Sequence, residues 1–102
     1  MAARDAKGFL LDWQAWTPKL AEALAQEEAL TLTDAHWEII DFMRHYYAEY
    51  QHLPNTRLFS KAIATTLGEA KGNSRYLKRL FPNNALYQTC LIAGLPKPPI
   101  CR

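Results

Sequence analysis

The two cysteines of this 102-residue chain are its side chains best suited to chemistry, and both lie in its last thirteen residues. Cys90 falls near the end of a predicted helix, whereas Cys101 is the penultimate residue. A glycine, which commonly ends a helix, and three prolines lie between them. Because only one residue follows Cys101, we expect its thiol to lie outside the core, where it could reach into another protein.

Two thiols at this spacing could carry out sulfur exchange. A free thiol can attack sulfur or accept a sulfane sulfur as a persulfide, and a second thiol within reach can resolve that product into a disulfide. The eleven steps from Cys90 to Cys101 span up to about 36 Å when extended. A disulfide instead needs Cα atoms within about 7 Å. Two alternatives stay open: a buried apolar role for Cys90 and an incidental terminal thiol at Cys101.

Basic residues form a second candidate site, for partner binding. They are Arg57, Lys61, Lys71, Arg75, Lys78, Arg79 and Lys97. The four from Lys71 to Arg79 follow i, i+4, i+7, i+8 spacing and would share one face if their helix extends back far enough. Such a surface could dock an acidic protein or a phosphate backbone, and the alternative is an ordinary solvated face. No recognition helix rich in Asn, Gln and Arg stands out, so DNA binding receives low weight.

Composition favours one small cytoplasmic domain. The net charge is +2, 49% of residues are hydrophobic, and no apolar run approaches the roughly 20 residues of a membrane span. In a reducing cytosol, cysteine pairs tend to be catalytic, redox-active or metal-bound. The spacing of His36, His45 and His52 does not match a zinc pair, so we expect no metal and no cofactor. The sequence contains neither a phosphate-binding glycine loop nor a nucleophile elbow, so no motif indicates a stand-alone enzyme.

Capping residues and apolar spacing predict a small bundle of about five helices. The predicted helices run from Thr17–Pro18 to Glu28, from Thr33–Asp34 to about Tyr50, from Asn55 or Thr56 to Leu67, from Asn73 or Ser74 through Phe81, and from Ala85 to Ala93. The apolar run 8–11 could be the remnant of a short N-terminal hairpin. The expected domain covers residues 1–94, and residues 95–102 form a proline-rich, mobile arm.

The second helix carries the strongest apolar pattern. Its stripe consists of Trp37, Ile40, Met43, Tyr47 and Tyr50, widened by Ile39, Phe42 and Tyr46. This spacing predicts the central core helix of the bundle. The alternative, an aromatic platform that stacks bases, receives little weight, because one small domain needs these side chains inside.

Three segments in combination resemble the DsrC/TusE/DsvC family of sulfur-relay proteins. They are His36 to Ile40, Lys71 to Leu77 with Arg79 to Pro82, and Ala93 to Pro98 with the penultimate Cys101. The resemblance extends from about Gly8 to Arg102. It implies a helical domain with a small β-hairpin and a mobile C-terminal arm, and it makes Cys101 the sulfur-carrying thiol. Cys90 matches the upstream cysteine of DsrC-type members, which TusE-type members generally lack.

The resemblance implies a sulfur carrier or co-substrate with one of two sets of partners. A DsrC-like protein would exchange sulfur with a DsrE-type sulfurtransferase, present its arm to dissimilatory sulfite reductase, and resolve the product as a Cys90–Cys101 disulfide. A TusE-like protein would relay sulfur from a TusBCD-like donor to a tRNA thiolase that makes 2-thiouridine. The segment 83–87 and the terminal Arg102 depart from the family pattern, so a diverged relative that serves another sulfur pathway is a third alternative.

Overall fold

The structure, a computed structural model, describes residues 3–99, and these residues form a mostly α-helical bundle, as predicted. The described residues contain one 3₁₀ turn, Trp13–Ala15, followed by five helices. They are α1 (Pro18–Glu27), α2 (Asp34–Tyr50), α3 (Thr56–Leu67), α4 (Ser74–Leu80) and α5 (Ala85–Ile92). The predicted bounds agree with these to within one or two residues, since α4 ends just before Phe81 and α5 ends just before Ala93.

Side chains at the start of the helices explain this agreement. Thr17 accepts a hydrogen bond from the Leu20 backbone N–H at 3.1 Å, and Asn55 accepts one from Leu58 at 2.9 Å. Asn73 caps α4 in the same way, with 2.9 Å to the backbone nitrogen three residues later. Each cap satisfies a donor that the first turn of a helix leaves free, so these starts are fixed by local sequence.

The most enclosed helix is α5, not α2 as predicted. All residues of α5 from Leu86 to Ile92 except Tyr87 are buried, and the helix packs against α1, α2 and α4. The inner stripe of α2 supplies the buried Ile39, Ile40 and Met43. At the end of the stripe, however, Tyr50 is 56% exposed. Because α5 is buried on nearly every side, it occupies the centre of the bundle, and the amphipathic α2 packs against it.

In the described part of the N-terminal segment, the structure has a single antiparallel bridge, between Arg4 and Leu10, where a short hairpin was expected. The Asp5 backbone N–H donates to the Phe9 carbonyl at 2.7 Å, which closes the turn. Phe9 and Leu10 are buried in the core. The Arg4 guanidinium also pairs with Glu27 of α1 at 2.7 Å, so the turn is fixed to the bundle.

The turn between α3 and α4 brings two backbones into close contact at Gly72. A Cβ on Gly72 would lie 2.2 Å from the Ala64 backbone nitrogen, so only glycine fits there. The Ser60 hydroxyl of α3 donates to the Gly72 carbonyl at 2.8 Å. Within residues 3–99, none of the helices is long and apolar enough to cross a bilayer.

Candidate functional site

Cys90 lies in the last full turn of α5 and is completely buried, with 0% exposure. Burial raises the pKa of the Cys90 thiol, because an apolar surrounding disfavours the thiolate. In this conformation the thiol is therefore protonated and inaccessible to a second sulfur atom. This placement matches the alternative in which Cys90 is a small core residue, while the predicted resolving role stays a prediction.

The C-terminal end of α5 is held by side chains from elsewhere in the chain. The Trp16 indole N–H donates to the Ile92 carbonyl at 2.8 Å, and the Arg44 guanidinium donates to the Ala93 carbonyl at 2.8 Å. Gly94 follows with φ +72°, in the left-handed region. A Cβ there would lie 2.5 Å from Trp16 Cδ1, so the indole packs directly on the Gly94 backbone.

Arg44 lies between two indole rings. Its guanidinium carbon is 4.2 Å from the centre of the Trp16 ring and 5.2 Å from that of Trp13. Both contacts are within cation–π range. Partial burial lowers the pKa of the Arg44 guanidinium, and no carboxylate between residues 3 and 99 lies within ion-pair distance of it. We name Trp13, Trp16 and Arg44 the indole clamp.

The start of the predicted arm is packed against the domain. Leu95 is completely buried, and its backbone N–H donates to the Cys90 carbonyl at 3.0 Å. Pro98 is also buried, whereas Pro96 and Lys97 are exposed. The predicted domain boundary after residue 94 stays a prediction. Cys101 lies outside the described residues, and so does Arg102.

The predicted partner-binding cations fall into two groups. Arg57 and Lys61 on α3, with Arg75, Lys78 and Arg79 on α4, are exposed, as is Lys97 further along the chain. Lys71 instead donates to Glu38 of α2 at 2.6 Å. Because α4 begins at Ser74, Lys71 lies in the preceding turn, and the condition for one continuous helical face through it is not met.

A pocket of about 440 Å³ opens between α3, α4 and the start of α5. Its lining includes the apolar Phe59, Leu77 and Leu86 together with Lys78. The surrounding half of the chain is strongly cationic. Nine of the ten Asp and Glu residues precede residue 56, whereas eight of the twelve Lys and Arg residues follow it. Of the exposed cations of α3 and α4, Lys78 lines the pocket itself. We name these exposed cations the cationic face: Arg57, Lys61, Arg75, Lys78 and Arg79.

The histidines are dispersed. His36 is buried and accepts a hydrogen bond from the Thr33 backbone N–H through Nδ1 at 3.1 Å, so its Nε2–H donates to the Leu80 carbonyl at 2.7 Å. His45, in the C-terminal half of α2, and His52, which follows that helix, are exposed. Among residues 3–99, no three His, Cys, Asp or Glu side chains are grouped in a way that could hold a metal ion.

Comparison with known proteins decides the family. The family model described as DsrC like protein matches residues 1–102, the entire chain. This chain belongs to the DsrC-like protein family. Among curated relatives, sulfurtransferase TusE of Pectobacterium atrosepticum is 48% identical over 99 residues, covering 97% of this chain and 91% of the relative. The family predicted from the three sequence segments is thus confirmed.

Solved structures of DsrC proteins share the fold of this DsrC-like protein. The NMR structure of Allochromatium vinosum DsrC has a TM-score of 0.90 and 46% identity, covering 99% of this chain and 90% of that one. The oxidized gamma-subunit of the dissimilatory sulfite reductase (DsrC) from Archaeoglobus fulgidus has a TM-score of 0.83 and 36% identity, covering 99% and 92%. Relatives with TusE and with DsrC names thus match nearly the whole chain.

Sequence reasoning missed the indole clamp. One signal was present: Arg44 lies four residues after Ile40 and three before Tyr47, which puts a cation on the apolar side of α2. A charged residue at such a position requires a specific partner. The partners themselves could not be read from spacing, because the Ala93 carbonyl is 49 residues away and the Trp16–Ile92 pair is 76 residues apart.

Proposed function

We propose that this DsrC-like protein is a sulfur carrier, in which Cys101 accepts a sulfane sulfur as a persulfide and delivers it to a partner enzyme. The observation that carries the proposal is the environment of the Cys90 thiol. Cys90 is buried at the base of the C-terminal segment and is kept protonated there. Since the thiolate is the nucleophile in sulfur exchange, loading falls to Cys101.

The chemistry balances without an external oxidant. In loading, the Cys101 thiolate attacks the terminal sulfur of a donor persulfide, the donor S–S bond breaks, and the donor thiolate leaves. In resolution, the Cys90 thiolate attacks Cys101 Sγ, a Cys90–Cys101 disulfide forms, and hydrosulfide leaves. The sulfane sulfur is reduced to sulfide while the two cysteine sulfurs are oxidised. A dithiol reductant then restores both thiols.

In the main proposal the partners are a DsrE-type sulfurtransferase as donor and dissimilatory sulfite reductase as acceptor. The presence of Cys90 favours this pathway, because resolution requires a second thiol. The cationic face offers a docking surface with charge opposite to that of an acidic partner, and its apolar pocket could take a side chain of that partner. Lys97, exposed near the end of the described chain, adds positive charge along the path to Cys101.

A second pathway is favoured by the burial of Cys90. If Cys90 serves only as a core residue, Cys101 acts alone, and the protein relays sulfur from a TusBCD-like donor towards tRNA 2-thiouridine. The 48% identity to a relative named sulfurtransferase TusE supports this pathway. Complementation of a strain that lacks its own relay protein separates the two. A Cys90→Ala variant that restores 2-thiouridine assigns the tRNA pathway and makes resolution by Cys90 dispensable.

The loading step is tested by incubating the protein with a persulfidated sulfurtransferase and measuring its intact mass. We expect the mass of one sulfur atom to be added and to map to Cys101. Cys101→Ala should abolish the addition, whereas Cys90→Ala should retain it but lose the intramolecular disulfide. The Cys90→Ala variant is therefore the matched control for thiol loss. Sulfur that maps to Cys90, or to neither cysteine, overturns the proposal.

A further inference from the structure

We propose that Trp16 and Arg44 are positioning residues for sulfur exchange, because they keep the last turn of α5 closed over Cys90 and set how often its thiol becomes accessible. The inference rests on the proposed function, in which Cys90 attacks the Cys101 persulfide. It concerns a step before that attack: the opening that a buried thiol requires.

Every backbone carbonyl at this end of α5 has a donor. The Thr89 carbonyl accepts from the Ala93 N–H at 2.8 Å, the Cys90 carbonyl from the Leu95 N–H, and the Leu91 carbonyl from the Gly94 N–H at 3.3 Å. A helix end normally leaves its last carbonyls without partners.

Here the last two carbonyls, those of Ile92 and Ala93, are taken by the Trp16 indole and the Arg44 guanidinium. The closed state is thus completed by two side chains that are distant in sequence. Because Arg44 is a cation at the C-terminal end of α5, it also lies where the helix dipole attracts positive charge.

While the last turn of α5 is closed, no second sulfur atom can reach the Cys90 thiol. Cys90 has 0% exposure, and Leu95, also at 0%, is bonded to the Cys90 backbone. A second sulfur can reach Cys90 only after the segment from Cys90 to Leu95 separates from the domain. That separation must break the two bonds of the clamp, since Ile92 and Ala93 lie inside this segment.

The contacts of Arg44 allow its hydrogen bond to the Ala93 carbonyl to break without leaving the guanidinium unpaired. Between residues 3 and 99, Arg44 has no carboxylate partner that would fix its position, and the two indole rings hold its guanidinium. When the Ala93 carbonyl leaves, the cation keeps its contacts with both rings and gains water as a hydrogen-bond partner. The opening therefore leaves no unpaired buried charge behind.

The test measures alkylation of Cys90 by iodoacetamide in a Cys101→Ser background, followed by intact mass. We expect Trp16→Phe, which keeps an aromatic ring but removes the indole N–H, to raise the alkylation rate about tenfold. Trp37→Phe makes the same chemical change on α2 away from the clamp and should leave the rate unchanged. Arg44→Lys, which keeps the charge but loses the planar stack, should raise the rate as well.

Urea separates a positioning role from a merely structural one. Alkylation through local opening depends weakly on low urea concentrations, whereas alkylation through global unfolding follows the full unfolding slope. If the faster rates in Trp16→Phe and Arg44→Lys follow that full slope, or if the rates do not change, the inference is wrong. Because no sulfur transfer is involved, this outcome is independent of whether Cys101 accepts sulfur.

Discussion

Replacing Gly94 with alanine should open the end of α5 and expose Cys90. Gly94 has φ +72°, a conformation that alanine adopts at a cost of about 1 kcal/mol. The new Cβ would lie 2.5 Å from Trp16 Cδ1 and 2.9 Å from Trp16 Cβ and Cγ. Because Trp16 Cβ is anchored to the backbone, the whole side chain must move, and its hydrogen bond to the Ile92 carbonyl is lost.

The two effects add to about 2–3 kcal/mol when the lost hydrogen bond contributes about 1–2 kcal/mol. Opening does not require the strained conformation, so the free energy of opening falls by the same amount. We therefore expect Cys90 alkylation in the Cys101→Ser background to accelerate about 30- to 150-fold. Tryptophan fluorescence should change at the same time, since Trp16 leaves its site against Gly94 and Arg44.

Gly68→Ala is the matched control. Gly68 also has positive φ, +106°, but a Cβ there would have no atom within 4 Å. The control should lower the free energy of global unfolding by about 1–3 kcal/mol through backbone strain and leave alkylation at low urea unchanged. Equal acceleration by both variants would refute the reasoning, because exposure of Cys90 would then follow global stability. No acceleration by Gly94→Ala would also refute it.

Three further predictions concern docking, pH and packing. Lys78→Glu on the cationic face should slow sulfur loading from an acidic donor at low salt by about tenfold, whereas Lys19→Glu on α1 should not; equal effects would remove the docking proposal. Burial raises the pKa of Cys90 in the folded state, so only the unfolded state loses the thiol proton above the unfolded pKa of about 8.5. The free energy of unfolding, measured by urea titration, should therefore fall by about 1.4 kcal/mol per pH unit above that pH. This slope should be absent in Cys90→Ala. Gly72→Ala should cost about 3 kcal/mol or more in the same titrations, because its Cβ meets the Ala64 backbone; a cost below about 1 kcal/mol contradicts that close contact.

Local sequence signals placed the helices well. Thr17, Asn55 and Asn73 act through hydrogen bonds to the third following residue, so the information lies within one turn of the chain. Spacing also identified the buried part of α2. It failed at Tyr50, since an apolar stripe shows which side of a helix faces inward and not where the core ends.

The candidate site was predictable only in part. The two cysteines and the family follow from residues that are close in sequence. The burial of Cys90 and the indole clamp depend on contacts across 49 and 76 residues, which no periodicity reports. The condition for one helical face through Lys71 is not met, because residues 71–73 precede α4 and Gly72 approaches α3 closely there.

The complete burial of Cys90 also affects how its thiol responds to oxidants such as peroxide. Peroxide converts an accessible thiolate through sulfenic to sulfinic and sulfonic acids, and the last two steps are not repaired by ordinary thiol reductants. The Cys90 thiol has 0% exposure and stays protonated, so it is protected from this oxidation as long as the end of α5 is closed. We therefore expect Cys90 to remain reduced under peroxide concentrations that irreversibly oxidise solvent-exposed thiolates of other proteins.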